Sequence, residues 1–295
     1  ADNRYIAEAA VELVVVDYDP LPAVADYTQA GQEMVNAALG GPPSEPVAEA
    51  FAAAAHVIEE TIHQQSHTAV PMETRGLVAE WVAGSGELTI WAATQAPHEV
   101  RAFCARLLGL PEQRVRVVMR DTGGGFGQKV VPQREEMCVM LAARKVPAAL
   151  KWIEDRRENL MCGGHARHEH GTARMAFDED GPMLAAHLDH VQDVGAYPTP
   201  SPLTAAFAVG LLFPGPYRVP AASWSCTLVH SNTCGRTAYR GPWQFESLAR
   251  EVLVDIAARR IGIDPVELRR RNLLRQDEMP YANPNGMPYS DMTPA

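Results

Sequence analysis

The chain has 295 residues and a mass of 32.1 kDa, with 46% apolar and 21% charged residues. That length suits one large or two ordinary domains, and the composition supports a sizeable core and excludes a disordered chain. With 26 basic against 36 acidic residues the net charge is −10, which argues against a general nucleic-acid binder and against a basic membrane-surface patch.

In chain order, Asn3 to Leu13 reads as a helix with Ile6, Ala9, Ala10 and Leu13 on one face. Val14 to Tyr18 reads as a strand closed by Pro20 and Pro22, and Thr28 to Leu39 as a second short helix. Gly40-Gly41-Pro42-Pro43-Ser44-Glu45-Pro46 is the clearest linker. Strands are expected at His56–His63, Leu77–Val82 and Leu88–Ala93, the last two joined by a turn at Gly84-Ser85-Gly86-Glu87. Pro97 opens a helix that Gly109 stops. The strand Val115–Val118 feeds a glycine cluster, Gly123-Gly124-Gly125-Phe126-Gly127, and a helix follows from near Pro132 to about Lys145.

Four further strands are expected, at Ala149–Ile153, Thr172–Phe177, Met183–Val191 and Ser223–Val229, with Asp178-Glu179-Asp180-Gly181 as a turn. The uncharged stretch between Asp193 and Arg218 is broken by Pro198, Pro200, Pro202, Pro214 and Pro216. Its apolar core, Leu203 to Phe213, is about half of the ~20 residues a spanning helix needs, so it reads as a buried helix. Phe245, Leu248, Ala249, Val252, Leu253 and Ile256 form one helical stripe ended by Gly262, and Asp264 caps a short helix with Glu267 at the capping-box position. The mixture is α+β.

Cys104, Cys138, Cys162, Cys226 and Cys234 are an odd number, widely spread, with no C-x-x-C pair. They point away from a disulfide framework and from a zinc or iron–sulfur site made by this chain alone. The chain starts at Ala1 without a basic n-region or an h-region, and reads as cytoplasmic and as a piece cut from a longer protein.

The glycine cluster is the sharpest candidate site, since bare backbone amides between a strand and a helix can approach an anion or cofactor closely. It is neither a P-loop nor a dinucleotide fingerprint. Gln128 separates Gly127 from Lys129, and Val130 stands where a P-loop needs serine or threonine. His165, His168 and His170 suggest a metal site but read better as solvent-facing. His63 and His67 would share a helix face without a local base, and Glu135-Glu136 reads as a solvated first helical turn. The loop Asn232 to Trp243 brings Arg236 and Arg240 toward a helix N-terminus, a second candidate for binding an anion.

Five motifs occur in a specific order: Thr94-Gln95-Ala96-Pro97-His98; Asp121-Thr122-Gly123-Gly124-Gly125-Phe126-Gly127-Gln128-Lys129; Glu154-Asp155-Arg156-Arg157-Glu158-Asn159; Thr237-Ala238-Tyr239-Arg240-Gly241; and Asp264 to Leu273. Together they resemble the molybdenum-binding large subunit of the xanthine dehydrogenase, aldehyde oxidase and carbon monoxide dehydrogenase family. The resemblance implies residues 1–27 as the C-terminal end of a hammerhead-like domain, 28–50 as linker, and 51–295 as the first molybdenum-cofactor-binding domain.

It also implies roles. Gln95 resembles the glutamine that hydrogen-bonds an oxygen ligand of molybdenum. Gly125, Phe126 and Gly127 resemble the loop packed beside metal and pyranopterin, and Arg240 the arginine whose main chain approaches the metal from the opposite side. No side chain ligates the metal directly, and the catalytic glutamate of the family lies in the missing second half of the large subunit. The implied cofactor is a molybdenum–pyranopterin in its cytosine dinucleotide form. The implied partners are that C-terminal half, an Fe-S small subunit and an FAD medium subunit, with a small-molecule substrate and neither nucleic acid nor membrane.

The implied reaction is oxidation of an aldehyde or N-heterocycle with water as oxygen source. Val130, Ala208 and Pro242 stand where purine oxidisers place glutamate, arginine and a stacking phenylalanine, which disfavours a purine. Gly241-Pro242-Trp243 replaces the cysteine loop of true carbon monoxide dehydrogenases. Alone, the chain is not expected to turn over. The competing reading is a non-catalytic fragment or assembly module lacking cofactor.

Overall fold

The computed structural model describes residues 1–198 and 202–291; the expectation that Pro200 interrupts the uncharged stretch lies outside the described residues. The chain runs through α1 (Arg4–Val11), β1 (Val35–Gly40), α2 (Glu45–Ala53), β2 (His56–Gln64), β3 (Gly76–Val82), β4 (Glu87–Ala92), α3 (Pro97–Leu108) and β5 (Val115–Val118). It continues with α4 (Arg134–Ala143), β6 (Leu150–Ile153), α5 (Arg156–Cys162), β7 (Glu169–Phe177), β8 (Met183–Asp193), α6 (Pro202–Leu212) and β9 (Ala221–Val229). The last elements are α7 (Phe245–Ile261), α8 (Pro265–Asn272), β10 (Tyr281–Ala282) and β11 (Pro288–Tyr289).

Two sheets carry the fold, as an α+β reading requires. One has the order β1-β9-β8-β7-β2 and the other β5-β4-β3-β6. Pairing is antiparallel except for β4 with β5 and β8 with β9, which are parallel. Each parallel pair is joined by a helical crossover, α3 in the first case and α6 in the second. Local signals explain α3: Pro97 occupies the first turn, and Gly109 closes the helix at φ 64°.

The smaller sheet buries Leu77, Ala79, Leu88, Ile90 and Val115 against Val100, Cys104 and Met140 of α3 and α4. The larger sheet is covered on both faces. Met175, Ala186 and Leu188 pack with Phe245, Leu253 and Ala257 of α7, while Ala176 and Ala185 on the opposite face meet Val47 of α2. At about 25 cal/mol per Å² of apolar area, burial of this kind is the main force holding the layers together.

Several expectations are corrected. Val14–Tyr18 forms no strand; it continues the exposed arm after α1, which buries none of its residues. Thr28–Leu39 is not a helix. Short 3-10 turns at Tyr27–Gln29 and Gln32–Met34 lead into β1, which pairs with β9. Residues 28–50, expected as linker, hold β1 and the first six residues of α2. The buried face of α7 is also wider than the apolar stripe: Glu246 and Arg250 lie inside it as an ion pair, while Leu248 is partly exposed. A wholly apolar stripe was not needed, because Arg250 also donates to Phe213 O and its charge is matched. Among the described residues no helix is long and apolar enough to cross a membrane.

Candidate cofactor and substrate site

The glycine cluster leaves β5 and turns back under the loop that follows β4. Gly124 (φ 92°), Phe126 (φ 52°) and Gly127 (φ 103°) all take left-handed backbone. Gly127 N donates to Gln95 Oε1 at 2.9 Å, and Gln95 N donates to Lys129 O at 3.2 Å. From a third segment, Arg240 N donates to Phe126 O at 2.8 Å. Thus Gln95, Gly125, Phe126, Gly127 and Arg240 are brought to one place from three loops.

The close approach depends on missing side chains. A Cβ on Gly125 would lie 2.3 Å from Gln95 Oε1, and one on Gly127 would lie 2.7 Å from Ala238 O. Phe126 itself remains 45% exposed, an apolar ring held outward by a strained backbone.

Behind the loop a buried polar network fixes it. Gln128, one of the residues that disqualified a P-loop, donates to Thr68 Oγ1 and Gly164 O and accepts from Asn159 Nδ2 at 3.0 Å. Asn159 Nδ2 also donates to Glu154 Oε2, which accepts from Arg75 N. The Arg75 guanidinium, 1% exposed, meets Glu154, Glu135 and Glu136. Glu135-Glu136 is therefore no solvated turn: burial pushes Glu136 up to about 7 against the pull of Arg75. On the other flank, Glu73 accepts from both Lys129 Nζ (2.8 Å) and Gly123 N (2.9 Å).

The loop after β9 is braced in the same way. Arg236 donates to Glu169 Oε2 at 2.9 Å and to Arg167 O, so it is committed internally and does not form an anion site with Arg240. Burial alone would raise Glu169, but Arg236 and the bonds from His190 and Gln192 outweigh it and hold the carboxyl at about 2. The histidine expectations are also revised. His63 lies on β2, and His67 forms an isolated bridge with Ala166, so they share no helix face. His165, His168 and His170 are half-buried and bonded, to Ser66, Asp193 and Tyr27 respectively. Among the described residues no three His, Cys, Asp or Glu are placed to hold a metal ion.

Beside the loop a cavity of about 620 Å³ opens between α3, α4 and α6. Gly127, Val130 and Pro242 line it, together with Phe103, Met137, Tyr197 and Trp243. Ala208 does not: Thr204 and Ala205, earlier on the same helix, face the cavity instead. The network residues Arg75, Glu154, Asn159 and Gln128 were not legible as a unit, because their partners are separated by up to 79 positions in sequence.

Residues 31–273 match the model of the molybdopterin cofactor-binding domain, and the chain belongs to that family. It is 36% identical to the nicotine 6-hydroxylase large subunit of Paenarthrobacter nicotinovorans over 99% of its own length and 37% of that protein. To the carbon monoxide dehydrogenase large chain of Hydrogenophaga pseudoflava it is 32% identical over 98% of its length and 39% of that protein. The crystal structure of quinoline 2-oxidoreductase from Pseudomonas putida 86 superposes with a TM-score of 0.90 at 36% identity, covering 99% of this chain and 39% of that one. The chain thus aligns with part of each of these relatives and spans under two fifths of their length.

Proposed function

We propose that this chain forms one wall of a molybdenum–pyranopterin site, and part of the adjoining substrate pocket, in a hydroxylase acting on an aldehyde or N-heterocycle. The observation that carries this is the meeting of Gln95, Gly125–Gly127 and Arg240 through two hydrogen bonds that bare backbone alone permits. These residues fit the group. Gln95 has its carbonyl engaged by Gly127, while its Nε2 has no hydrogen-bond partner among the described residues and can donate to an oxygen of the cofactor. Gly125, Phe126 and Gly127 offer a surface without side-chain bulk except one exposed ring, and Arg240 closes it from the other loop.

The oxidation itself, with water as oxygen source, belongs to that cofactor, and the protein supplies binding and orientation. We assign to the chain's partners the C-terminal half of the large subunit, an Fe-S subunit and an FAD subunit that carry electrons away, and to the cofactor the cytosine dinucleotide form. We assign residues 1–27 to the end of a hammerhead-like domain. The five cysteines are free, which favours a reducing compartment, the cytoplasm.

The cavity favours an uncharged, largely apolar ring. Val130, Pro242, Met137, Phe103 and Trp243 contribute apolar surface; of the charged lining residues, Arg236 is paired with Glu169 and Arg134 with Glu135, while Glu99 and Arg106 carry opposite charges. Nothing at Val130 or Pro242 can recognise a purine as glutamate and phenylalanine would. Elemental mass spectrometry on natively purified protein, with intact masses of every co-purifying chain, tests the reading. Near-stoichiometric molybdenum with a second polypeptide is the expected result; protein with neither metal nor partner would remove catalysis from it and leave the assembly-module reading.

A further inference from the structure

The turn that bears Arg240 is strained. Arg240 has φ 26° and Gly241 φ 81°, and a non-glycine residue in such a backbone persists only when its surroundings over-determine it. Part of the support is a run of backbone bonds: His165 N donates to Gly235 O at 3.0 Å, and Thr237 N to His165 O at 2.8 Å. That run stops before the turn is reached.

Arg167 continues it. The residue is 7% exposed and itself left-handed, at φ 65°. Its Nη1 donates to Gly241 O at 3.0 Å, and its Nη2 to Tyr239 O at 3.2 Å and Gln244 Oε1 at 2.7 Å. The guanidinium also lies over the Tyr239 ring, 5.8 Å from its centre. Arg167 is anchored in turn, since its carbonyl accepts from Arg236, which Glu169 holds. Its donors therefore grip the carbonyls on either side of Arg240, whose own N–H reaches Phe126 O.

We propose that Arg167 is the positioning residue of the cofactor wall, its planar fork holding the Tyr239–Gly241 turn so that Arg240 stays hydrogen-bonded to the glycine loop. A lysine keeps the charge but offers no rigid fork to two carbonyls two residues apart, so it replaces arginine poorly here. The functional meaning rests on the cofactor reading above; the structural claim does not.

Amide hydrogen exchange on the full chain tests it, with wild type, Arg167→Lys, Arg167→Ala, and Arg174→Ala as a control on β7 remote from the turn. Losing charge-assisted bonds to the turn should speed exchange of peptides covering 238–244 and 124–128 about tenfold in Arg167→Ala. Arg167→Lys should move the same peptides in the same direction, and peptides from β3 and β4 should keep their protection in both. Unchanged loops in a folded variant would overturn the proposal, as would acceleration spread over the whole chain in both variants. Molybdenum per chain is measured in parallel. A fall in Arg167→Ala relative to wild type is expected, and an unchanged ratio despite a loosened turn would overturn the positioning role. Wild type without molybdenum would defeat the cofactor reading alone, with the exchange data still deciding whether Arg167 holds the turn.

Discussion

Gly127 is where backbone conformation and close packing make the same demand. At φ 103°, with Ala238 O 2.7 Å from the place a Cβ would take, Gly127→Ala is strained twice over. It should cost about 2–4 kcal/mol, read as a lower denaturation midpoint with unchanged m-value. Glu169 sets a pH dependence. Its carboxyl is held at about 2 against an ordinary 4.5, so its contribution to stability is complete above about 4.5 and is lost as pH falls toward 2. Glu169→Gln should flatten the acid limb of the stability curve in that window. At neutral pH it should lower stability by roughly 3 kcal/mol, because Arg236 is left buried without its counter-charge. At this scale the sequence showed the glycines but not their supports. Gly125 and Gly127 announce a need for bare backbone, whereas Glu136 reads as a solvated acid because its ion-pair partner Arg75 lies some 60 positions earlier.

Among the elements, those with local punctuation were legible. Pro97 and Gly109 bound α3, and Asp264, whose side chain accepts from Val266 N and Glu267 N at 3.0 Å each, starts α8. Asp264→Ala should cost about 1 kcal/mol, seen as a melting temperature lower by roughly 2–4 °C. Strands β3 and β4 were legible from their alternation and the turn between them. Thr28–Leu39 failed for a physical reason: Val35–Gly40 is extended only because β9, nearly two hundred residues later, offers an edge to pair with. Short apolar runs fit either period, and the tertiary partner decides. The same holds for α7, where an internal ion pair widens the buried face beyond its apolar stripe.

For the molecule as a whole, the arm after α1 stands out. Leu13, Val14, Val15 and Val16 are all more than half exposed, with Val15 at 92%, and the chain is a fraction of the length of its relatives. Exposed β-branched runs promote association. Replacing Val14, Val15 and Val16 by serine should shift sedimentation velocity profiles toward monomer while leaving the melting temperature within about 2 °C, since nothing buried is lost. The two parallel pairings have a consequence of their own. The loop with Gln95 follows β4, the glycine loop follows β5, Tyr197 follows β8 and the Arg240 turn follows β9, so all four leave the carboxyl ends of parallel pairs. The proposed site and its scaffold are thereby separated along the strand axis. The loops at that end can be lengthened and rewritten without touching sheet register, and residues can be inserted in the Gly84–Gly86 turn at the other end without touching the proposed site.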